Sequence, residues 1–296
     1  MKMLIKKKVA PTIYQCTTVN RTVIGAKKIE FVLDKVIEVS LDKSEADHKI
    51  FTIKLLGHKL IGTSLIHEWT GDMEELQNKL VLKTDVNGAI IGIQNRNDLY
   101  IKWHSGFMAK MLQKYKKRGG DGTKLMVDLT TKLISNEKAL LKSLDGFNLY
   151  HIFFQGNYEK KLSTGGSEYK IKGHFGKIDL PLNLQTEISK SKIEGQSFTT
   201  IDTQGFLNKD KFKQEAFTKY IKGMIGVLDV DATLHVEMEE KYTYNNMGWI
   251  TEADLYLKTH AANMYALANA HIVKQISKEE SELVLQSFAK TEQLTH

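Results

Sequence analysis

Apolar and polar residues alternate longest between Leu228 and Met238. There Leu228, Val230, Ala232, Leu234, Val236 and Met238 point one way, and Asp229, Asp231, Thr233, His235, Glu237 and Glu239 point the other. A period of two predicts a strand with one face on the core and one in water. Trp249–Thr259 and Met264–Ile276 are its expected partners, reached through Asn245-Asn246-Met247-Gly248 and His260-Ala261-Ala262. The first third has the same character. Ile13–Ile24, Lys28–Leu41, Lys49–Leu56 and Lys59–Trp69 are rich in Val, Ile, Thr and Phe, with Gly57-His58 as a turn between the last two. Lys79–Asp85 and Ala89–Gln94 then flank the turn residues Val86-Asn87-Gly88.

The period changes after Asn97 or Asp98, either of which can cap a helix. Leu99, Trp103, Phe107, Met111 and Leu112 recur at helical spacing, and Gly119-Gly120 ends the run. A second helix over Thr123–Leu144 directs Leu125, Leu129, Leu133, Leu140, Leu141 and Leu144 towards a core, and Leu149–Phe154 reads as an apolar strand. Strands resume at Tyr169–Lys172, Lys177–Ser189 and Gln196–Asp202. Asn208 opens a helix carrying Phe212, Phe217, Tyr220, Ile221 and Met224, and Lys278–Ala289 is a short amphipathic helix.

The predicted fold class is α+β, with antiparallel sheets packed on a few helices in two similar strand-strand-helix halves. Residues 1–160 form the first half and 161–296 the second, as separate domains or one continuous unit. In each half an Asp-x-x-Gly tetrapeptide precedes the principal helix: Asp85-Val86-Asn87-Gly88 and Asp202-Thr203-Gln204-Gly205. Strands wrapping a helix in this order, with those two turns, resemble the half-barrel of bacterial lipoprotein-carrier proteins. The resemblance spans both halves and implies a carrier function, but carries over no functional residue.

Composition narrows the partners. The net charge is +7, yet only Arg21, Arg96 and Arg118 of the 42 basic residues are arginine. Phosphate and base readers rely on arginine's planar fork, so the lysine excess reads as solvated surface and disfavours nucleic acid. Cys16 is the only cysteine, which excludes an internal disulfide and a cysteine-based zinc cluster. Lys6, Lys7 and Lys8 interrupt the apolar segment that a secretion signal needs, and no apolar stretch approaches the roughly 18 residues of a membrane span. A cytoplasmic location is the resulting expectation.

Candidate chemistry is sparse. His235, Glu237 and Glu239 project from one side of a strand, where His260, and also Glu252, Asp254 and His271 on neighbouring strands, could join them. His235, Glu237 and His260 are the candidate ligands for zinc or manganese. His67-Glu68-Trp69 lacks the second histidine of a metalloprotease helix and is read as a strand end. Gly119-Gly120-Asp121-Gly122-Thr123 lacks the Lys-Ser/Thr of a phosphate loop and is read as an interhelical turn capped by Asp121 or Thr123. Lys110, Lys114, Lys117 and Arg118 offer a basic interaction surface, and Trp103, Phe107, Phe212 and Phe217 line a conceivable apolar pocket. No catalytic set and no cofactor motif is present in sequence.

These readings favour a non-enzymatic protein-interaction or assembly component: an adaptor, an immunity-type binder or a subunit of a bacterial complex, with a protein partner or a second copy. The alternatives are a carrier of an apolar ligand or lipid, and a metal-dependent hydrolase using the carboxy-terminal sheet face. A continuous void of about 300 Å³ or more would favour the carrier.

Overall fold

A computed structural model describes residues 5–6, 10–62, 64–144, 146–159, 162–226 and 232–294. The strands are β1 (Thr12–Ile24), β2 (Lys27–Ser44), β3 (His48–Gly62), β4 (Lys79–Asp85), β5 (Ile90–Ile93), β6 (Gly165–Phe175), β7 (Ile178–Ile193), β8 (Gln196–Leu207), β9 (His235–Asn245), β10 (Ile250–Ala261) and β11 (Tyr265–Ile276). They form one sheet in the order β5-β4-β3-β2-β1-β11-β10-β9-β8-β7-β6. Every neighbouring pair is antiparallel, and β1 is hydrogen-bonded to both β2 and β11. The first and last strands therefore meet mid-sheet, and each half of the chain runs outwards from that seam.

Helices α1 (Leu65–Leu76), α2 (Arg96–Lys102), α3 (Met108–Gly119), α4 (Asp121–Ser135), α5 (Glu137–Leu144) and α6 (Leu149–Phe154) cover one face above the amino-terminal strands. Their core holds Trp103 and Tyr115, both fully buried, against Leu80, Leu82 and Phe51. Helix α7 (Gln214–Ile225) covers the outer end of the same face, with Phe217 and Ile221 on Phe175, Leu182 and Tyr265. Helix α8 (Lys278–Leu294) lies on the opposite face, where Leu285 and Phe288 meet Val36 and Ile13.

The alternation in the carboxy-terminal half is realised. Leu234, Met238, Tyr242 and Tyr244 are buried, whereas His235, Glu237, Glu239 and Lys241 are exposed. The strand starts at His235, and residues 228–231 of the longest alternating run lie outside the described residues. The α+β class and the antiparallel sheet hold.

Several local expectations are corrected. Gly57-His58 is not a turn: β3 runs through it with a bulge between the Val36 and Ile37 pairings. A Cβ at Gly57 would lie 2.5 Å from Leu285 Cδ2, so the glycine serves the approach of α8. Lys59–Trp69 is not one strand, because Ser64 caps α1 by accepting from the His67 amide and the chain turns helical. Leu149–Phe154 is helix α6, its first amides held by the Asn148 side chain. Asn95, whose side chain accepts from the Val81 amide, stands at the Ncap of α2 in place of Asn97 or Asp98. Trp103–Phe107 forms a π-turn between α2 and α3, with Gly106 at φ 148°. The helix expected over Thr123–Leu144 breaks at Asn136, and α4 buries Val127, Thr130 and Ile134 while Leu125 and Leu129 stay exposed. Asn208 accepts from the Lys211 amide in the turn before α7, not at its first residue.

The two Asp-x-x-Gly segments also differ. Asp85 closes a β4–β5 turn by accepting from the Ala89 amide, whereas Asp202–Gly205 lies inside β8, paired with both β7 and β9. Gly205 is needed there because a Cβ would lie 2.6 Å from Met238 Sδ. That tetrapeptide is no second turn.

Candidate functional site

Helix α6 is too short to hold itself and is fixed by its rings. Phe153 packs edge-on to Tyr14 at 5.0 Å and Phe154 to Phe51 at 5.3 Å. With those two side chains driven into the core, His151 and Gln155 extend towards β9. Directly paired residues of antiparallel strands share a face, so the register defines rows across the sheet. One row runs Thr18, His271, Leu255, Glu240, Thr203, Thr186 and Gly165. On one side lies the row of Tyr242, Ile201 and Ile188, and on the other that of Met238, Gly205 and Leu184. A polar stripe thus runs between apolar walls.

Neither α6 nor α7 covers this stripe completely. A groove of about 430 Å³ remains over β7, β8 and β9, with His151 and Gln155 at one end and Gly165–Tyr169 along its rim. Glu240 forms its floor, its side chain only 8% exposed. Tyr242 Oη donates to Glu240 Oε2 at 3.2 Å. Burial, then the Glu240 charge, push the Tyr242 phenol well above its ordinary range, so it remains a donor. Glu240 Oε1 lies 3.4 Å from His151 Nε2, within ion-pair distance but out of hydrogen-bonding geometry, and it has no hydrogen-bond donor among the described residues. Thr186 and Thr203 hold each other through their hydroxyls at 3.0 Å. A buried carboxylate oxygen without a donor is costly, so such positions mark strain or a place for a ligand.

Described groups around Glu240 supply hydrogen bonds, rings and aliphatic walls, with Ser163 and Ser167 also in the lining. Sequence reading missed Glu240, yet the signal was there. It continues the apolar phase of Leu234, Val236 and Met238 and precedes Tyr242, a charged residue at a core-facing position. His151 had no such signal, because its helix was read as a strand.

The expected metal face lies on the other side of β9. His235 and His260 rings meet at 5.0 Å, and Glu237 Oε1 is 4.0 Å from His260 Nε2. Glu237 is also ion-paired to Lys258 at 2.7 Å. Burial, then Lys258 and His235, lower the His260 pKa. His271 does not share that face: it lies on the covered side, 5% exposed, with Nδ1 3.0 Å from Thr18 Oγ1. His67-Glu68-Trp69 lies inside α1, with His67 and Trp69 buried.

Lys110, Lys114 and Arg118 face α1. Lys110 pairs with Glu75, Lys114 with Asp72 at 2.7 Å, and Arg118 takes both oxygens of Glu68 at 2.6 and 2.7 Å. That Arg118 contact lowers the Glu68 pKa. Lys117 stays exposed on α3. The four pocket aromatics are divided, Trp103 and Phe107 in the amino-terminal core and Phe212 and Phe217 beneath α7.

No family model matches the chain, and no curated protein matches its sequence. Among solved structures, lipovitellin, from work on its lipid–protein interactions, is similar over 90% of this chain and 25% of its own, at 7% identity and a TM-score of 0.45. The chain spans about a quarter of the length of that structure. DynF from the dynemicin biosynthesis pathway of Micromonospora chersina aligns over 95% of this chain and 88% of its own, at 6% identity and a TM-score of 0.21. No described helix is long and apolar enough to cross a membrane.

Proposed function

We propose that the protein is a carrier or sensor that binds one small amphipathic molecule in the groove over β7–β9. The observation that carries this reading is the groove of about 430 Å³ floored by a nine-tenths buried carboxylate, one oxygen of which has no hydrogen-bond donor among the described residues. Its volume lies within the range that encloses small ligands. The stripe of Glu240, Thr203 and Thr186 would orient a polar group while Met238, Leu184, Ile201 and Ile188 take up apolar surface. The binding surface belongs mainly to strands, which hold a ligand site more rigidly than loops do.

Titration with Nile red, a neutral amphipathic dye, tests the reading. One-site binding to the native protein is expected, and Thr186→Trp, which fills the groove from a half-buried position, should abolish it without lowering the melting temperature. Equal binding by the folded variant would overturn the proposal.

Assembly with another protein is the second reading. It is favoured by Leu125 and Leu129, 59% and 55% exposed one turn apart on α4. Self-association or complex formation weakened by Leu125→Ser/Leu129→Ser is its expected signature in sedimentation. An unchanged sedimentation profile would count against it.

A further inference from the structure

Resting on the groove reading, we infer that its ligand carries a protonated primary or secondary amine that docks on Glu240, with an aliphatic body along the apolar walls. The protein carries a net charge of +7, yet the described residues lining this groove include two carboxylates, Glu168 and Glu240, and neither lysine nor arginine. A carboxylate-lined surface, as the described lining residues make this one, selects against anions. Glu168 is already held by Lys211 at the rim, which leaves Glu240 as the available acid.

The floor lacks a donor. Glu240 Oε2 is taken by the Tyr242 hydroxyl, whereas Oε1 is buried and accepts no hydrogen bond from the described residues. The His151 ring stands 3.4 Å away but is misaligned for donation. An ammonium N–H supplies both the missing hydrogen bond and the countercharge, and charge-assisted bonds are about twice as strong as neutral ones. The rings of Tyr169 and Tyr242 line the same space, and a phenol ring face attracts a cation further. Beyond the charge, Met238 and Leu184 on one side and Ile201 and Ile188 on the other leave room for a chain of methylenes. A hydroxyl would satisfy the acceptor without offsetting the charge, and a carboxylate would do neither.

The test uses the full chain with ¹³C-labelled isoleucine and methionine methyl groups, titrated at neutral pH with n-octylamine, n-octanol and octanoate. The amine is expected to shift the Ile188, Ile201 and Met238 methyls with an affinity about tenfold or more above octanol, and octanoate to bind weakest. Glu240→Gln should bring amine and alcohol to equal affinity. If octanol or octanoate matches the amine at those methyls, the amine inference is overturned and the groove reading stands. If none of the three moves them, both fall. The three-ligand comparison on the native protein decides the matter even if Glu240→Gln fails to fold.

Discussion

Over β1–β5 the sheet is roofed by α1 to α6, while over β6–β9 the single helix α7 covers only the outer end, and the two regions treat buried charge differently. Under the thick roof the two buried lysines among the described residues are both answered. Lys35 reaches Glu74 at 2.6 Å, and Lys49, 2% exposed, donates to Glu159 and to the Val86 carbonyl, each at 2.6 Å. Under the thin one, Glu240 keeps an oxygen without a donor. The first charges tie elements together: Lys49 fastens the segment after α6 to the β4–β5 turn. The second is held through one oxygen by Tyr242 and keeps the other without a hydrogen-bond donor, so it faces the groove chemically although it is buried. Completeness of pairing, more than burial, separates a structural charge from one held for a ligand.

The hardest way to break this comparison is to remove what supports the thin roof. Phe217 is fully buried and packs on Phe175 at 4.7 Å, Phe212 at 5.5 Å and Tyr265 at 6.2 Å. Phe217→Ala should cost about 4 kcal/mol, since it leaves a ring-sized cavity under one helix. Urea unfolding reads the loss, and hydrogen exchange should show α7 released before the strands. Uniform loss of protection would mean that both regions stand or fall together.

Lys49→Met addresses the thick roof. It removes two charge-assisted hydrogen bonds, to the Val86 carbonyl and to a Glu159 carboxylate that is one-third exposed, and should cost about 3 kcal/mol. Equilibrium denaturation measures it, and a cost below about 1 kcal/mol would show that the pair behaves as a surface bridge.

Acid titration compares the seam and the outer end. Burial lowers both His271, at the β1–β11 seam, and His174, in β6, to a pKa of about 4. The folded state therefore favours neutral rings, while the unfolded chain takes up protons near its ordinary value of about 6.5. Stability from these groups is present above that value and is lost as pH falls from about 6.5 towards 4. For His271 the loss amounts to about 3 kcal/mol. Denaturation midpoints across that window should fall with acid and flatten in His271→Gln, and a flat native profile would contradict the burial of both rings.

Much of this layout was legible from period alone. β1, β2 and β9–β11 alternate because one face is packed and the other is wet or covered by one helix, and two-fold periodicity reports that asymmetry directly. The helices of the roof were harder. Leu149–Phe154 is apolar nearly throughout, so no period distinguishes helix from strand, and only Asn148 before it holds the deciding signal. Leu125 and Leu129 repeat at helical spacing yet point outwards, because α4 turns Val127, Thr130 and Ile134 to the core. In the groove, Glu240 was readable as a charge in the apolar phase. The partner opposite it was not, since His151 arrives through tertiary packing of α6 on Tyr14 and Phe51.

The smallest expected effect sharpens the comparison most. Glu240→Gln keeps the shape of the side chain and an oxygen for the Tyr242 hydroxyl, but removes a buried carboxylate whose second oxygen has no hydrogen-bond donor among the described residues. Replacing an incompletely satisfied buried charge by its neutral isostere relieves desolvation, so the variant should match the native protein within about 1 kcal/mol, or exceed it. Charge removal is thus expected to be costly at Lys49 and nearly neutral or favourable at Glu240 in the same denaturation experiment. A loss of about 3 kcal/mol at Glu240 would mean that His151 already neutralises it, and the groove would then be a packed ion pair of the kind found under the thick roof.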